Sequence, residues 1–239
     1  MANDFFQFRQ FTISQHRCAM KVGTDGTLLG AWAKTGGQGK TMILDIGTGT
    51  GLIALMMAQR YPNAMVKAID IDVEAVTQAC ENVAVSPFAD RVEVIQADIN
   101  SFECEERFHA VVCNPPYFPT ECSMESPDLQ RRMARQTNTL DFQMLVYAVK
   151  RLLAPEGLFS VVIPVDNYHL MATEALQVGL YVSRICHVRT TPRKEPKRLL
   201  IEFCQTPVCK IDMSEGTIEI EPNVRSPWYR ELTQDFYIR

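Results

Sequence analysis

Between residues 41 and 163 the chain alternates two hydrophobic periods. Short strand-like runs predict five strands: TMILDI (41–46), a buried one, then AMVKAID (64–70), RVEVIQAD (91–98), FHAVVCN (108–114), whose VVC reads as buried, and LFSVVIP (158–164). Three helical patterns lie between them. LIALMMAQRY (52–61) is apolar on most sides, and VEAVTQACENVA (73–84) is amphipathic with Asp72 placed as its N-cap. DFQMLVYAVKRLLA (141–154) carries Leu145, Val149 and Leu152 at helical spacing and is expected to stop at Pro155-Glu156-Gly157. Strand–helix units joined by short connections predict a parallel sheet with helices on both faces, an α/β doubly wound fold.

After Pro164 the pattern changes. NYHLMATEALQVG (167–179) reads as a helix, and LYVSRICHVRT (180–190) and KRLLIEFCQ (197–205) as strands. The TPRKEP segment between those strands is too short for a crossover helix, so the pair is expected to be antiparallel. The expected fold is therefore a mostly parallel seven-stranded sheet with an antiparallel last strand. Residues 1–40 are expected to form an N-terminal extension packed on the core. The polar tail 210–239, with late aromatics Trp228, Tyr229, Phe236 and Tyr237, is expected to pack back on the domain. The stretch 115–138 has no period, and loops of that length are usually functional or mobile.

Composition narrows the partners. The chain has 239 residues, is 46% hydrophobic and carries a net charge of −4, so a nucleic-acid partner needs a local basic face. Eight scattered cysteines without a C-x-x-C pair, and four histidines without a cluster, point to a reducing compartment and to no metal site. No apolar run approaches the ~20 residues of a membrane span, and the first residues do not read as a signal peptide. The expectation is a cytoplasmic protein.

The chemistry gathers at strand ends. Asp45-Ile46-Gly47-Thr48-Gly49-Thr50-Gly51 lies where the first buried strand turns into a helix. Glycines there let the backbone approach a ligand, and the helix N-terminus offers N–H donors. The spacing is G-x-G-x-G, because Leu52 fills the last slot of the dinucleotide pattern G-x-G-x-x-G. Asp45 would repel a pyrophosphate and suits a cationic ligand. Asp70, 19 residues after Gly51, can accept both hydroxyls of a ribose, while Asp72 serves as the helix cap. Asp98 can accept from an adenine amine while Ile99 packs on the ring; taken alone, a solvated strand-end aspartate accounts for it equally well. The three aspartates share the sheet edge where open α/β folds bind ligands.

Asn114-Pro115-Pro116-Tyr117 follows the fourth buried strand on that edge. The Asn114 side-chain oxygen and the Pro115 carbonyl are two acceptors that can hold both hydrogens of a planar –NH2 group. Two such contacts localise the nitrogen lone pair, and the prolines leave little ordering for the reaction step. Tyr117 offers a face on which a flat substrate can stack.

DIGTGTG, AID, QAD and NPPY, in this order, resemble the class I S-adenosylmethionine-dependent amino-methyltransferases, and NPPY is similar to their [DNS]-P-P-[YFW] signature. FTISQHRCAMKVGTDGTLLGAWA (11–33) and RKEPKRLLIEF (193–203) resemble the bacterial tRNA1(Val) adenine-37 N6-methyltransferase family. The resemblance runs from about residue 8 to the DFY near the end. It implies a Rossmann-like methyltransferase domain over 41–209, S-adenosyl-L-methionine as cofactor, and N6-methyladenosine beside the anticodon of a valine tRNA as product. It places Asp45, Gly47, Gly49, Gly51, Asp70, Asp98 and Ile99 on the cofactor, and Asn114, Pro115 and Tyr117 on the adenine. It also puts Lys21 and Thr24 at the cofactor's methionine end; a turn leading into the LLGAW helix explains them as well.

Arg184, Arg189, Arg193, Lys194, Lys197 and Arg198 cluster against one acid, Glu195, and Arg131, Arg132 and Arg135 lie in the long loop. Arg193, Lys194, Lys197 and Arg198 are the expected contacts to tRNA phosphates, with a solvated charged hairpin as the plain alternative. Three rival functions are a methyltransferase for a protein glutamine amide or another RNA, a dinucleotide oxidoreductase, and a non-catalytic RNA-binding module. The short stretch before residue 41 speaks against the glutamine-amide enzymes with their extra helical domain. The missing last glycine speaks against the oxidoreductase, and intact motif positions speak against the binding module.

Overall fold

Successive residues of a strand point to opposite faces, so a strand covered on both sides needs a continuous apolar run. Ile43 and Leu44, Val111 and Val112, and Val161 and Val162 divide in this way between two apolar clusters, one on each face of the sheet. A computed structural model describes residues 4–18, 21–37, 39–116 and 141–238. A short antiparallel hairpin, β1 (Phe5–Gln7) and β2 (Thr12–Ser14), comes first. The apolar runs then form β3 (Met42–Ile46), β4 (Met65–Asp70), β5 (Val92–Gln96), β6 (Phe108–Cys113) and β7 (Leu153–Pro164), which pair with one another in parallel. Helices α1 (Thr24–Trp32), α2 (Leu52–Arg60) and α3 (Val73–Ala84) bury their apolar sides on one face. Helices α4 (Phe142–Leu152) and α5 (Tyr168–Gln177) cover the other. Asp72 and Asp141 cap α3 and α4 by accepting from the backbone N–H groups of Glu74 and Gln143.

The remaining sheet strands are β8 (Tyr181–Arg189), β9 (Arg198–Cys204) and β10 (Asp212–Thr217), and the full order is β10-β8-β9-β7-β6-β3-β4-β5. The seven expected strands are all present, and β9 is antiparallel to both neighbours. It sits between β7 and β8 rather than at the edge. The polar tail does more than pack on the domain: its DMSEGT segment adds an eighth strand, parallel to β8. Its side chains are mostly exposed, as suits an edge strand, so no apolar pattern marks it.

A second difference concerns residues 155–157. The helix ends at Leu152, but Pro155-Glu156-Gly157 is not a loop between helix and strand; it lies within β7. The register against β6 jumps from Phe108↔Leu153 to Ala110↔Leu158, so these residues bulge out while the strand continues. Pro155 has no N–H to give to the ladder. A Cβ on Gly157 would come within 2.6 Å of the Phe108 carbonyl oxygen, so only glycine passes there.

Beyond β10 the tail forms a small hairpin, β11 (Glu219–Glu221) and β12 (Val224–Arg225), and the helix α6 (Pro227–Thr233). Ser226 caps α6 by accepting from Tyr229 N–H and donates to the Thr217 carbonyl. Arg9 N–H donates to the Phe236 carbonyl at 2.8 Å, and Phe6, Phe8, Tyr229 and Tyr237 stack into one aromatic cluster. The two ends of the described chain thus close against each other on the α1–α2 face.

Helix α1 is buried along most of its length. Gly26 and Gly30 lie one turn apart toward α2, and a Cβ on Gly30 would meet the Met56 sulfur at 2.7 Å. The last carbonyls of α1, which have no partner within the helix, are taken by side chains from elsewhere. Arg60 donates to the Gly30 and Ala33 carbonyls, and Arg184 donates to the Trp32 carbonyl.

Candidate active site

The parallel strands deliver their carboxyl ends to one edge, and a cavity of about 740 Å³ opens there. Its walls come from residues 21–26 at the start of α1, the glycine loop after β3, the turn after β4, and the segments after β5 and β6, with Cys18 and Met144 beside them.

The glycine loop is shaped by backbone conformation. Gly47 and Gly49 have φ of +68° and +56°, in the left-handed region that glycine adopts without strain, and a Cβ on either would meet nothing within 4 Å. Both line the cavity, so the loop is a cradle whose empty side faces a ligand. Gly51 does not line it; it begins α2, and a Cβ there would touch Ala79 of α3 at 3.4 Å.

Asp45 is fully buried and does not line the cavity. Its Oδ2 accepts from the Thr48 hydroxyl at 2.6 Å and from the Ala54 N–H at 3.1 Å, while Oδ1 has no hydrogen-bond partner. The carboxyl ties the end of β3 to the glycine loop and satisfies an orphan donor in the first turn of α2. Direct attraction for a cationic ligand is therefore not what its position provides. Burial pushes its pKa up to about 7, against the opposing hydrogen bonds from Thr48 and Ala54.

Asp70 and Asp98 do line the cavity. Asp70 Oδ2 accepts from the Gly49 N–H at 2.8 Å and Oδ1 from the Asp72 N–H at 3.0 Å, so the carboxylate is locked against the glycine cradle. Asp98 Oδ1 accepts from the Asn100 backbone and side-chain nitrogens. Buried Ile99 follows it, and Arg151 holds the turn by donating to the Ile99 and Phe102 carbonyls. Lys21 and Thr24 line the cavity as well. Asn114 and Pro115 reach the same space from the end of β6, with Pro115 buried and Asn114 half-buried. Tyr117, Arg131, Arg132 and Arg135 lie outside the described residues.

Several lining residues were not singled out from the sequence. Ile71, Asn100 and Met144 face the cavity from turns and a helix face that no motif marks, and Cys18 and Asp25 lie in the 11–33 stretch without a role assigned to them. Burial and the nearby Asp70 and Asp72 carboxylates push the Cys18 thiol up to about 11, and burial raises Cys113 well above its ordinary value. Neither supplies a thiolate nucleophile near neutral pH.

The basic segment splits in two. Arg184 is partly buried, pairs with Glu202 at 2.7 Å and stacks over the Trp32 ring at 3.5 Å; Arg189 pairs with Glu215 at 2.8 Å. Arg198 pairs with Asp25, a residue of the cavity wall, at 2.9 Å, and does not itself line the cavity. Arg193, Lys194 and Lys197 face solvent in the β8–β9 connection. Pro164 at the end of β7 pairs with Arg198 at the start of β9, which places that connection on the same sheet edge as the cavity. Among the described residues no group of His, Cys, Asp and Glu could hold a metal ion, and no helix is long and apolar enough to cross a membrane.

A cradle of open glycines, a locked carboxylate beside it and an Asn-Pro-Pro turn thus line one cavity. The model of the methyltransferase small domain family matches residues 26–180. The chain belongs to this methyltransferase family. A curated relative from Phocaeicola vulgatus, named tRNA1(Val) (adenine(37)-N6)-methyltransferase, is 49% identical over 100% of this chain and 99% of its own length. A relative of the same name from Musicola paradisiaca is 44% identical over 98% of this chain and 94% of its own. Among solved structures, a predicted O-methyltransferase from Agrobacterium tumefaciens matches this methyltransferase with a TM-score of 0.66 at 18% identity, covering 89% of this chain and 96% of that one. The glycopeptide N-methyltransferase MtfA, solved with S-adenosyl-L-methionine, has a TM-score of 0.53 at 15% identity, covering 78% and 90%. These two likenesses concern the fold. The open cradle at Gly47 and Gly49 and the carboxylates of Asp70 and Asp98 fit a cofactor that carries a ribose, an adenine and a positive charge.

Proposed function

We infer that this methyltransferase transfers a methyl group from S-adenosylmethionine to the exocyclic N6 of an adenine in tRNA, adenine 37 of tRNA1(Val). The observation that carries the reading is full-length identity of 43–49% to curated relatives of that name, joined to a site that pairs the glycine cradle with Asn114-Pro115. When bound, S-adenosylmethionine supplies a methyl group on a positively charged sulfur. Asp70 accepts from the ribose hydroxyls, Asp98 from the cofactor's adenine amine, and Ile99 packs on that ring. Lys21 and Thr24 sit at the methionine end.

Asn114 Oδ1 and the Pro115 carbonyl accept the two hydrogens of the target amine. These contacts draw the nitrogen toward a tetrahedral shape and localise its lone pair toward the methyl group. The buried Pro115 keeps the acceptors fixed, so little reorganisation is left for the reaction. A strong general base is not required, because the amine proton becomes acidic only as the new C–N bond forms. Tyr117 is assigned to stacking on the target base.

Arg193, Lys194 and Lys197 supply positive charge on the cavity edge of a chain with net charge −4, which favours an RNA approaching from that side. A tRNA substrate places the enzyme in the cytoplasm. The test is labelled methyl transfer to total tRNA from a strain lacking the enzyme, followed by nucleoside mass spectrometry. N6-methyladenosine in valine tRNA is expected. Label in a protein with none in tRNA would move the reading to the glutamine-amide enzymes.

A further inference from the structure

We propose that Arg198 is a positioning residue for the cofactor cavity and not a contact to RNA, acting through its ion pair with Asp25. The proposal rests on the S-adenosylmethionine reading of that cavity. Arg198 Nε donates to Asp25 Oδ2 at 2.9 Å, between side chains that are 32% and 24% exposed and 173 residues apart in the chain. The arginine starts from a rigid base. It opens β9 in register with Pro164 of β7 and Val188 of β8, and the Lys197 N–H donates to the Val188 carbonyl at 3.0 Å.

Asp25 lies in the first turn of α1, where a carboxylate is favourable, and it lines the cavity beside Thr24 and Gly26. The stretch leading there is tied down from the other side. Ser14 exchanges hydrogen bonds with the Asn82 side chain on α3, and the Gln15 side chain accepts from the Val22 N–H at 2.7 Å. The far end of α1 is held by the neighbouring strand, since Arg184 of β8 donates to the Trp32 carbonyl and stacks on the Trp32 ring.

The β8–β9 pair therefore grips α1 at both ends with two arginines, one per strand. What it grips is the helix whose first residues line the cavity and lie against Leu52, directly after the glycine loop. Arg198 holds that part of the wall in place. The cations that remain turned outward on the same connection, Arg193, Lys194 and Lys197, are left for the RNA.

The test uses two binding measurements on the purified full chain: S-adenosylhomocysteine by calorimetry, and tRNA by filter binding across a salt series. Arg198→Ala is expected to weaken S-adenosylhomocysteine binding roughly 5- to 20-fold. Asp25→Ala should do the same, and the double variant should be no worse than the worse single one. Arg198→Lys keeps the charge but loses the planar Nε donor, and should recover part of the affinity even if the alanine variant folds poorly. The tRNA salt dependence should stay as in the wild type. Unchanged S-adenosylhomocysteine affinity, additive effects in the double variant, or a tRNA salt slope lowered by about one would overturn the proposal. A wild-type chain that binds tRNA but no S-adenosylhomocysteine would remove the cofactor reading itself, and this inference with it.

Discussion

At the ends of β4, β5 and β6, the side chains that line the cavity occupy positions dictated by the sheet: Asp70, Asp98 and Asn114 each stand at or just beyond the carboxyl end of a parallel strand. The cations between 184 and 198 obey a different rule. Their fates depend on Glu202, Glu215 and Asp25, residues that the local sequence does not announce. Arg184 and Arg193 look alike in the chain, yet one is stacked on Trp32 against a buried carboxylate and the other faces water. The place of Asp70, Asp98 and Asn114 at the cavity thus follows from their position in the strand pattern. A charge in a hairpin is readable only once its partner is known.

The sharpest way to break this comparison lies within the hairpin. Arg184→Ala leaves Glu202 buried without its partner and is expected to cost about 3–5 kcal/mol of stability, whereas Arg193→Ala should stay within about 0.5 kcal/mol. Urea unfolding of both variants measures the difference; equal small losses would mean that the two cations are not distinct. Asp45 gives the next largest effect, on the other side. Its folded pKa of about 7 lies above the usual 3.8, so the protonated carboxyl stabilises the fold fully below pH ~4. That contribution is lost as pH rises through about 7 and amounts to about 4 kcal/mol. Asp45→Asn should flatten the stability profile across this window in thermal unfolding at several pH values; a slope as steep as in the wild type would contradict the assignment.

Asp70→Asn should weaken S-adenosylmethionine binding about 10- to 100-fold, the value of a charged hydrogen bond, while leaving tRNA affinity near normal. Calorimetry and filter binding separate the two. The smallest change is expected from neutralising Arg193, Lys194 and Lys197 together: cofactor affinity constant, tRNA binding weaker, and a salt slope reduced by about 0.7–0.9 for each phosphate that these cations neutralise in the wild type.

Much of the fold was legible because apolar runs and caps are local. The helix over 73–84 and its Asp72 cap lie where periodicity places them. The strand DMSEGT was not legible, because an edge strand that buries little needs no apolar pattern and owes its conformation to the backbone of β8. Pro155 misled for a related reason: proline ends a helix, but a bulge lets a strand pass over it. Within the site, the glycine loop, Asp70, Asp98, Asn114 and Pro115 were visible as motif positions and share one cavity. Asp45 was visible as a charge but not as a buried tie, since burial on the inner side of a turn leaves no mark in composition. Met144 and Ile71 were missed because a single apolar residue at a cavity rim has the same local signature as one on any surface.

The central claim is that Asn114 and Pro115 hold the amine that receives the methyl group. Single-turnover methylation of valine tRNA by Asn114→Ala, measured beside calorimetric S-adenosylhomocysteine binding, tests it most directly. The rate should fall by about 10²–10³, the cost of removing one preorganised acceptor from the transition state, with cofactor affinity within about two-fold of the wild type. A wild-type rate, or a rate that falls only in step with cofactor binding, would contradict it.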